Sequence, residues 1–337
     1  MGLRFPFSLL RRVPWYRMLV RPSLFFFEPE RAQRITDNLL AVRPLWRAYA
    51  QVTNVPDIPV TVAGMALRNP VGLAAGLDKQ CAYLDSLANL GFGYVIGGTV
   101  TTNSRSGNPK PRVLRLPHQS SLINALGFPS EGLRAAEARL RSLSSRPAKV
   151  LVSIAALDEQ GTLECLTALE PLVDGIEVNI SSPNTAGLRK FQEPVALRRL
   201  LDVLSVARKK PLFIKIPPYM NQADHQNVMS LVRECRDAGV TGITVMNTIP
   251  VEDARLAMGR GGLSGAAVRE DMLRIVPEVR AEVGKEMVIN ACGGIATPGD
   301  ARRALAAGAD TVQLYTAMVY RGPGVVGEIV KGLAKQS

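Results

Sequence analysis

The sequence predicts an α/β fold, a TIM-type (β/α)8 barrel with a small N-terminal helical membrane-association extension, and three observations carry the prediction. A β-then-α alternation sets in at Pro70 and runs almost to the end of the 337-residue chain. Eight apolar strand candidates occur along it, at 71–75, 94–99, 150–156, 175–180, 212–216, 243–247, 287–292 and 311–315. Several of them finish in amides, lysines or glycines, at the strand ends where a barrel carries its chemistry. A doubly wound open sheet is the competing architecture.

Pro14 and Pro29 fit the first turns of two short helices, at 15–26 and 29–41, where a missing N–H costs little, and a third follows Pro44. Residues 54–59 carry two prolines and read as a linker, and 60–62 with 65–67 predict a hairpin turned at Gly64. The expected division is therefore 1–54 for the helical extension and 55–337 for the barrel. Between the barrel strands, 195–209, 225–238, 266–283 and 298–307 carry apolar residues at three and four spacing, the period of a helix.

Hydrophobic residues make up 47% of the chain, enough for a large core, and the formal charge is +12. Arg4, Arg11, Arg12, Arg17 and Arg21 all precede the first acid, Glu28, and they are interleaved with Phe5, Phe7, Trp15, Tyr16 and Phe25 to Phe27. That mixture suits a helix lying at an anionic membrane surface. The remaining basic residues sit beside acids on helices, so no nucleic-acid partner is expected. No window of 18 or more uncharged apolar residues occurs, which argues against a spanning helix. A signal peptide fits poorly, because the apolar run at 5–10 is cut by Pro6 and closed by Arg11-Arg12. Cys81, Cys165, Cys235 and Cys292 are far apart and predict reduced thiols, while His118 and His225 lack partners at motif spacing, so no metal site is expected.

The rim residues follow from the strand ends. The first strand ends in Gly76-Leu77-Asp78-Lys79, the second in Gly98-Thr99, the fifth in Lys215 and the sixth in Asn247-Thr248. The fourth runs into Asn179-Ile180-Ser181-Ser182-Pro183-Asn184, where alternation puts Asn179 and Ser181 on one side and Ile180 and Ser182 on the other. Any one of these amides or lysines is explained by turn chemistry or a solvated loop. Their recurrence at equivalent strand ends points to a site instead. Gly293-Gly294 after the seventh strand, Tyr315-Thr316 after the eighth and Gly261-Gly262-Leu263-Ser264-Gly265 after the sixth allow close backbone approach to a phosphate, as in FMN.

The stretch from Asn179 to Arg189 resembles the signature of the quinone-linked (class 2) dihydroorotate dehydrogenases. Further matches are Gly72 to Lys79, Gly107-Asn108-Pro109-Lys110-Pro111-Arg112, Gly261 to Gly265 and Val312-Gln313-Leu314-Tyr315-Thr316-Ala317, and they cover the chain in order from about Arg21 onward. The related soluble class carries Cys where Ser182 stands. The resemblance implies an FMN-containing barrel that oxidises (S)-dihydroorotate to orotate, in pyrimidine synthesis, and passes the electrons to a membrane quinone. Ser182 would be the base. Lys79, Asn124, Asn179, Asn184, Asn247 and Thr248 would hold the substrate, together with the segment Ala125, Leu126, Gly127 and Phe128. Ala74, Ala75, Gly76, Leu77, Asp78, Thr99, Asn179, Lys215, Gly265, Gly294, Tyr315 and Thr316 would hold FMN.

The same resemblance makes the N-terminal helices a membrane-docking funnel for quinone, with Arg115 facing the tunnel and the protein peripheral at the cytoplasmic face of the inner membrane. Some positions depart from the family pattern. Ala155 stands for an Asn, Met246 for a Thr, and Ala125 and Pro129 for an Arg and an Asn; Gln33, Gln80, Cys81, Ile96 and Gly97 also differ. These changes leave open an FMN-dependent paralogue acting on another amide-containing ring, or a non-catalytic flavin or pyrimidine binder.

Overall fold

Eight parallel strands close into a barrel in the computed structural model, which describes residues 15–181 and 188–335. In chain order the strands are β1 (Val60–Val62), β2 (Met65–Leu67), β3 (Val71–Leu73), β4 (Tyr94–Val100), β5 (Val113–Leu116), β6 (Ser121–Asn124) and β7 (Lys149–Ala155). There follow β8 (Gly175–Asn179), β9 (Leu212–Lys215), β10 (Gly242–Val245), β11 (Ile249–Glu252), β12 (Arg260–Gly265), β13 (Val288–Cys292) and β14 (Thr311–Leu314). The barrel runs β3, β4, β7, β8, β9, β10, β13, β14 and back to β3, so each predicted barrel strand takes its place.

Alternation along β8 shows how the sequence sorts its faces. Val178 and Ile180 are fully buried in the large core between barrel and helices, while Glu177 and Asn179 take the other side, toward the barrel axis. Register then aligns the upper rim: Ala155 of β7 stands beside Asn179 of β8, Asn179 beside Lys215 of β9, and Lys215 beside Thr244 of β10. The foot of the barrel is closed by the predicted hairpin, whose Val62, Met65 and Leu67 pack with Tyr94, Ile96, Leu151 and Phe213. Only a glycine fits at position 72, because a Cβ there would lie 2.2 Å from the Tyr94 ring.

A four-stranded antiparallel sheet, ordered β11-β12-β6-β5, contributes to the cavity at the barrel's upper end and was not predicted. Its strands are short, and β12 is the Arg-Gly-Gly-Leu-Ser-Gly run, which reads as a loop because strand propensity disfavours glycine. Pairing decides the matter. β12 lies between β11 and β6, with Gly262 opposite Asn124 and Ser264 opposite Leu122.

The N-terminal segment forms three helices, Arg21–Phe26, Pro29–Leu40 and Arg43–Thr53. The first was expected to start at residue 15, but Tyr16–Val20 makes a wider turn in which the Arg21 N–H bonds the Tyr16 carbonyl. These helices are tied to the barrel domain by polar contacts. The Tyr16 hydroxyl donates to the Val319 carbonyl at 2.8 Å, Arg112 reaches Glu30 Oε1 with two nitrogens, and Arg115 donates to the Phe27 carbonyl at 2.7 Å. The segment exposes several apolar side chains: Met18 is 61% exposed, Leu19 55% and Phe26 88%. No helix among the described residues is long and apolar enough to cross a membrane.

Candidate active site

A cavity of about 400 Å³ opens at the upper end of the barrel, within the range of small-molecule and cofactor sites. Its wall is assembled from the ends of β3, β4, β8, β9, β13 and β14, from the segment after β10, and from β6 and β12 of the accessory sheet. Lys79, Asn124, Leu126, Gly127, Phe128, Asn179, Asn247 and Thr248 all line it, as do Ala74, Ala75, Gly76, Thr99, Lys215, Gly265, Gly294, Tyr315 and Thr316. Ser182 and Asn184 lie outside the described residues. Four candidates stand behind the lining. Ala125 is fully buried beside Ile123 and Leu256, and Leu77 packs on the main core. Asp78 accepts from the backbone N–H groups of Ala82 and Tyr83 at 2.9 and 2.7 Å, which opposes the upward push of burial on its carboxyl. Arg115 turns toward the N-terminal helices, its guanidinium 4.5 Å from the Phe25 ring centroid.

The amides are held by one another. Asn179 Oδ1 accepts from both the Ser181 N–H at 3.0 Å and the Ser181 hydroxyl at 2.9 Å, and Ser181 Oγ accepts from the Asn247 amide at 2.9 Å. The Asn179 amide nitrogen reaches Thr99 Oγ1 at 3.5 Å, and Thr99 lies 3.0 Å from the Ser153 hydroxyl. Asn247 closes the set by accepting from the Thr248 N–H at 2.8 Å. Four strand ends thus share one polar network, in which each fixed amide keeps unused donor or acceptor capacity for a ligand.

Sequence reasoning missed several cavity residues. Gln313 is 1% exposed and lines the cavity, beside the Tyr94 hydroxyl that Thr311 also engages. Its position two residues after Thr311 on β14 was the available signal. Arg17, Arg21, Tyr320 and Arg321 also reach the lining, and Arg17 pairs with Glu328 at 3.7 Å. They could not be assigned without knowing that the first turn folds back onto the helix Thr316–Arg321.

Lys215 is 6% exposed, with its ammonium 3.8 Å from Cys292 Sγ. Burial works against its charge, the Cys292 sulfur and the Glu177 carboxylate work for it, and the balance lies above the ordinary lysine value. Burial pushes the Cys292 thiol up, with Lys215 pulling the other way. All four cysteines are free, and burial pushes the thiols of Cys81, Cys165 and Cys235 up as well.

The chemistry of this wall fits FMN. Gly265 and Gly294 adopt φ of +95° and +70°, and a Cβ would sit 2.5 Å from the Ser120 carbonyl oxygen at the first and 2.6 Å from Arg269 Cα at the second. Both glycines line the cavity, and so do Ser264 and Thr316, whose hydroxyls are 2.9 Å apart and suit a phosphate. The buried Gln313 amide and the buried Lys215 cation suit a ring bearing alternating donors and acceptors. No group of three or more His, Cys, Asp or Glu among the described residues could hold a metal.

Known proteins agree with this architecture. Residues 58–336 match the family model described as dihydroorotate dehydrogenase. A protein named dihydroorotate dehydrogenase (quinone) from Bordetella avium is 41% identical over 343 residues, covering 93% of this chain and 95% of that one. One of the same name from Halorhodospira halophila is 37% identical, covering 95% of this chain and 98% of its own length. Among solved structures, the Eimeria tenella dihydroorotate dehydrogenase in complex with ferulenol superposes with a TM-score of 0.77 at 28% identity, covering 92% of this chain and 91% of that one. With its family model matched over most of the barrel domain and relatives matched over nearly their full length, the chain belongs to the dihydroorotate dehydrogenase family, in its quinone-linked (class 2) branch.

Proposed function

We propose that the protein oxidises (S)-dihydroorotate to orotate in pyrimidine synthesis, using FMN held in the barrel cavity and a membrane quinone as final acceptor. The observation that carries this reading is the convergence on one cavity of Asn124, Asn179, Asn247, Thr248, Lys79 and Lys215 with the glycine cradle at Gly265 and Gly294. Lys79 supplies a cation for the substrate carboxylate, and the amides offer paired donors and acceptors to the pyrimidine ring without adding charge. Thr99, Lys215, Gln313, Gly265, Gly294, Tyr315 and Thr316 hold FMN, which when bound supplies the two-electron acceptor. Ser182 takes the ring proton. A serine hydroxyl is a weak base, so the fixed geometry of the substrate-holding amides Asn179 and Asn247 and the exclusion of water carry much of the effect.

Residues 1–54 form the membrane-facing unit and 55–337 the catalytic barrel. The exposed Met18, Leu19 and Phe26, with the basic residues around them, dock on the cytoplasmic face of the inner membrane. Arg17, Arg21, Tyr320 and Arg321 then mark the side from which quinone approaches the cavity.

The purified protein should carry a flavin spectrum, and dihydroorotate added without oxygen should bleach it. Colour should return with a soluble quinone but not with fumarate or NAD. FMN that stays oxidised in the presence of dihydroorotate would overturn the substrate assignment.

A further inference from the structure

Below the cavity, the barrel interior is polar where such interiors are dominated by branched apolar side chains. Five side chains on five strands form one connected series. The Tyr94 and Thr311 hydroxyls lie 2.6 Å apart, Thr311 donates to Asn290 Oδ1 at 2.7 Å, Asn290 Nδ2 reaches Thr244 Oγ1 at 3.4 Å, and Thr244 donates to Glu177 Oε2 at 2.8 Å. The series ends on a carboxylate that is 0% exposed and whose other oxygen, Oε1, has no partner. One neutral donor is poor compensation for a buried carboxylate, which makes the nearest cation in the barrel important to it.

The strands of the barrel supply one candidate. Glu177 is the only acid within the eight barrel strands, and Lys149 and Lys215 are the only bases. Lys149 sits at the foot and is already paired with Asp174 at 3.0 Å. Lys215 stands in register with Thr244, the donor to Glu177, and with Asn179, two residues beyond Glu177 on the same inward side. The Glu177 carboxylate accordingly favours the charged form of Lys215.

We propose that Glu177 is a positioning residue that acts through Lys215, setting the net charge that the cavity floor presents to bound FMN. The inference rests on the reading of the cavity as an FMN site. A lysine alone in a dry site would favour the reduced cofactor strongly, because reduction adds negative charge beside it. An opposite charge beneath the lysine offsets that preference and leaves the electrons easier to pass on. The Tyr94-to-Thr244 series fixes the carboxylate in place.

The test is Glu177→Gln, which keeps the size of the side chain and an acceptor for Thr244. Two properties of the FMN-loaded protein are measured: the midpoint potential by dye-equilibrated reduction, and the affinity of the oxidised flavin for sulfite, whose adduct gains from positive charge near the ring. The potential should move in the positive direction and the sulfite dissociation constant should fall on the order of tenfold. Glu177→Val, which removes the buried charge with an apolar side chain, should shift both readouts the same way. Unchanged potential and sulfite affinity in the two variants would overturn the proposal even if melting temperature moved. Loss of FMN from both would overturn it as well, by making Glu177 structural. A wild-type protein that purifies without flavin would instead count against the FMN reading itself.

Discussion

The Asn247 side-chain amide donates to the Ser181 hydroxyl at 2.9 Å, joining the segment after β10 to the end of β8. Ser181 passes its own hydrogen to Asn179, so a single hydroxyl fixes two of the amides facing the cavity. Ser181→Ala removes both bonds. At about 1 kcal/mol for each, the KM for dihydroorotate should rise roughly thirtyfold, with FMN content unchanged, as steady-state kinetics and the flavin absorbance will show. An unaltered KM would mean that the amides are held by their strands alone.

Ser182→Ala tests the base. FMN should remain bound, while the rate at which dihydroorotate reduces it in an anaerobic stopped flow falls by roughly 10²- to 10⁴-fold. Ser182→Cys should recover part of the rate at raised pH, where a thiolate becomes available. A rate equal to that of the parent protein would remove Ser182 from the role.

Much of this site was legible because a barrel converts position along a strand into position in space. Asn179, Lys215 and Asn247 stand at ends of apolar runs, and register brings them to one rim. The accessory sheet was not legible, since the glycine-rich β12 is a strand only because β6 and β11 flank it. Glu177 and Gln313 were hidden for a different reason. Each lies between apolar residues of a short strand, and their burial toward the barrel axis appears only once the barrel closes. Arg17 and Arg21 depend on a contact nearly 300 residues away in sequence, where Arg21 reaches the Tyr320 carbonyl at 3.4 Å.

Gly265→Ala should damage the cofactor cradle and the fold together. The residue has φ of +95°, and an added Cβ would meet the Ser120 oxygen at 2.5 Å and Ser121 Cα at 2.7 Å, both rigid backbone. Strain of this kind costs on the order of 1–3 kcal/mol or more. A lower melting temperature and reduced FMN occupancy are expected; Gly259→Ala, where a Cβ meets nothing within 4 Å, should leave occupancy unchanged.

Tyr49 makes alkaline stability measurable. Its half-buried ring packs against Trp46, and burial pushes its hydroxyl up from 10.0 to about 12. Above pH 10 the unfolded chain gives up the proton while the folded chain keeps it, so the unfolded state binds fewer protons and stability falls as pH rises. The contribution is fully present below pH 10 and is lost toward pH 12, at no more than about 1.4 kcal/mol per pH unit. Urea titrations from pH 9 to pH 12 should give a shallower decline for Tyr49→Phe. Identical slopes would mean that the hydroxyl is solvated in the folded chain.

Phe26 separates membrane docking from chemistry. It is 88% exposed at the end of the helix Arg21–Phe26, with its ring 5.9 Å from that of Phe27, and Met18 and Leu19 nearby in sequence are exposed too. Burying one aromatic side chain in the lipid interface contributes about 1.5–3 kcal/mol, and an aspartate there adds repulsion from anionic headgroups. Phe26→Asp should therefore reduce co-sedimentation with anionic vesicles by tenfold or more. Turnover with a long-chain quinone in those vesicles should fall with it, because the acceptor is reached only from the bilayer. Anaerobic reduction of FMN by dihydroorotate takes place in the barrel and should keep its rate, as should turnover with a short, water-soluble quinone. If reduction of FMN slowed in parallel with vesicle binding, the helix would be supporting the barrel and the membrane assignment of this face would fall.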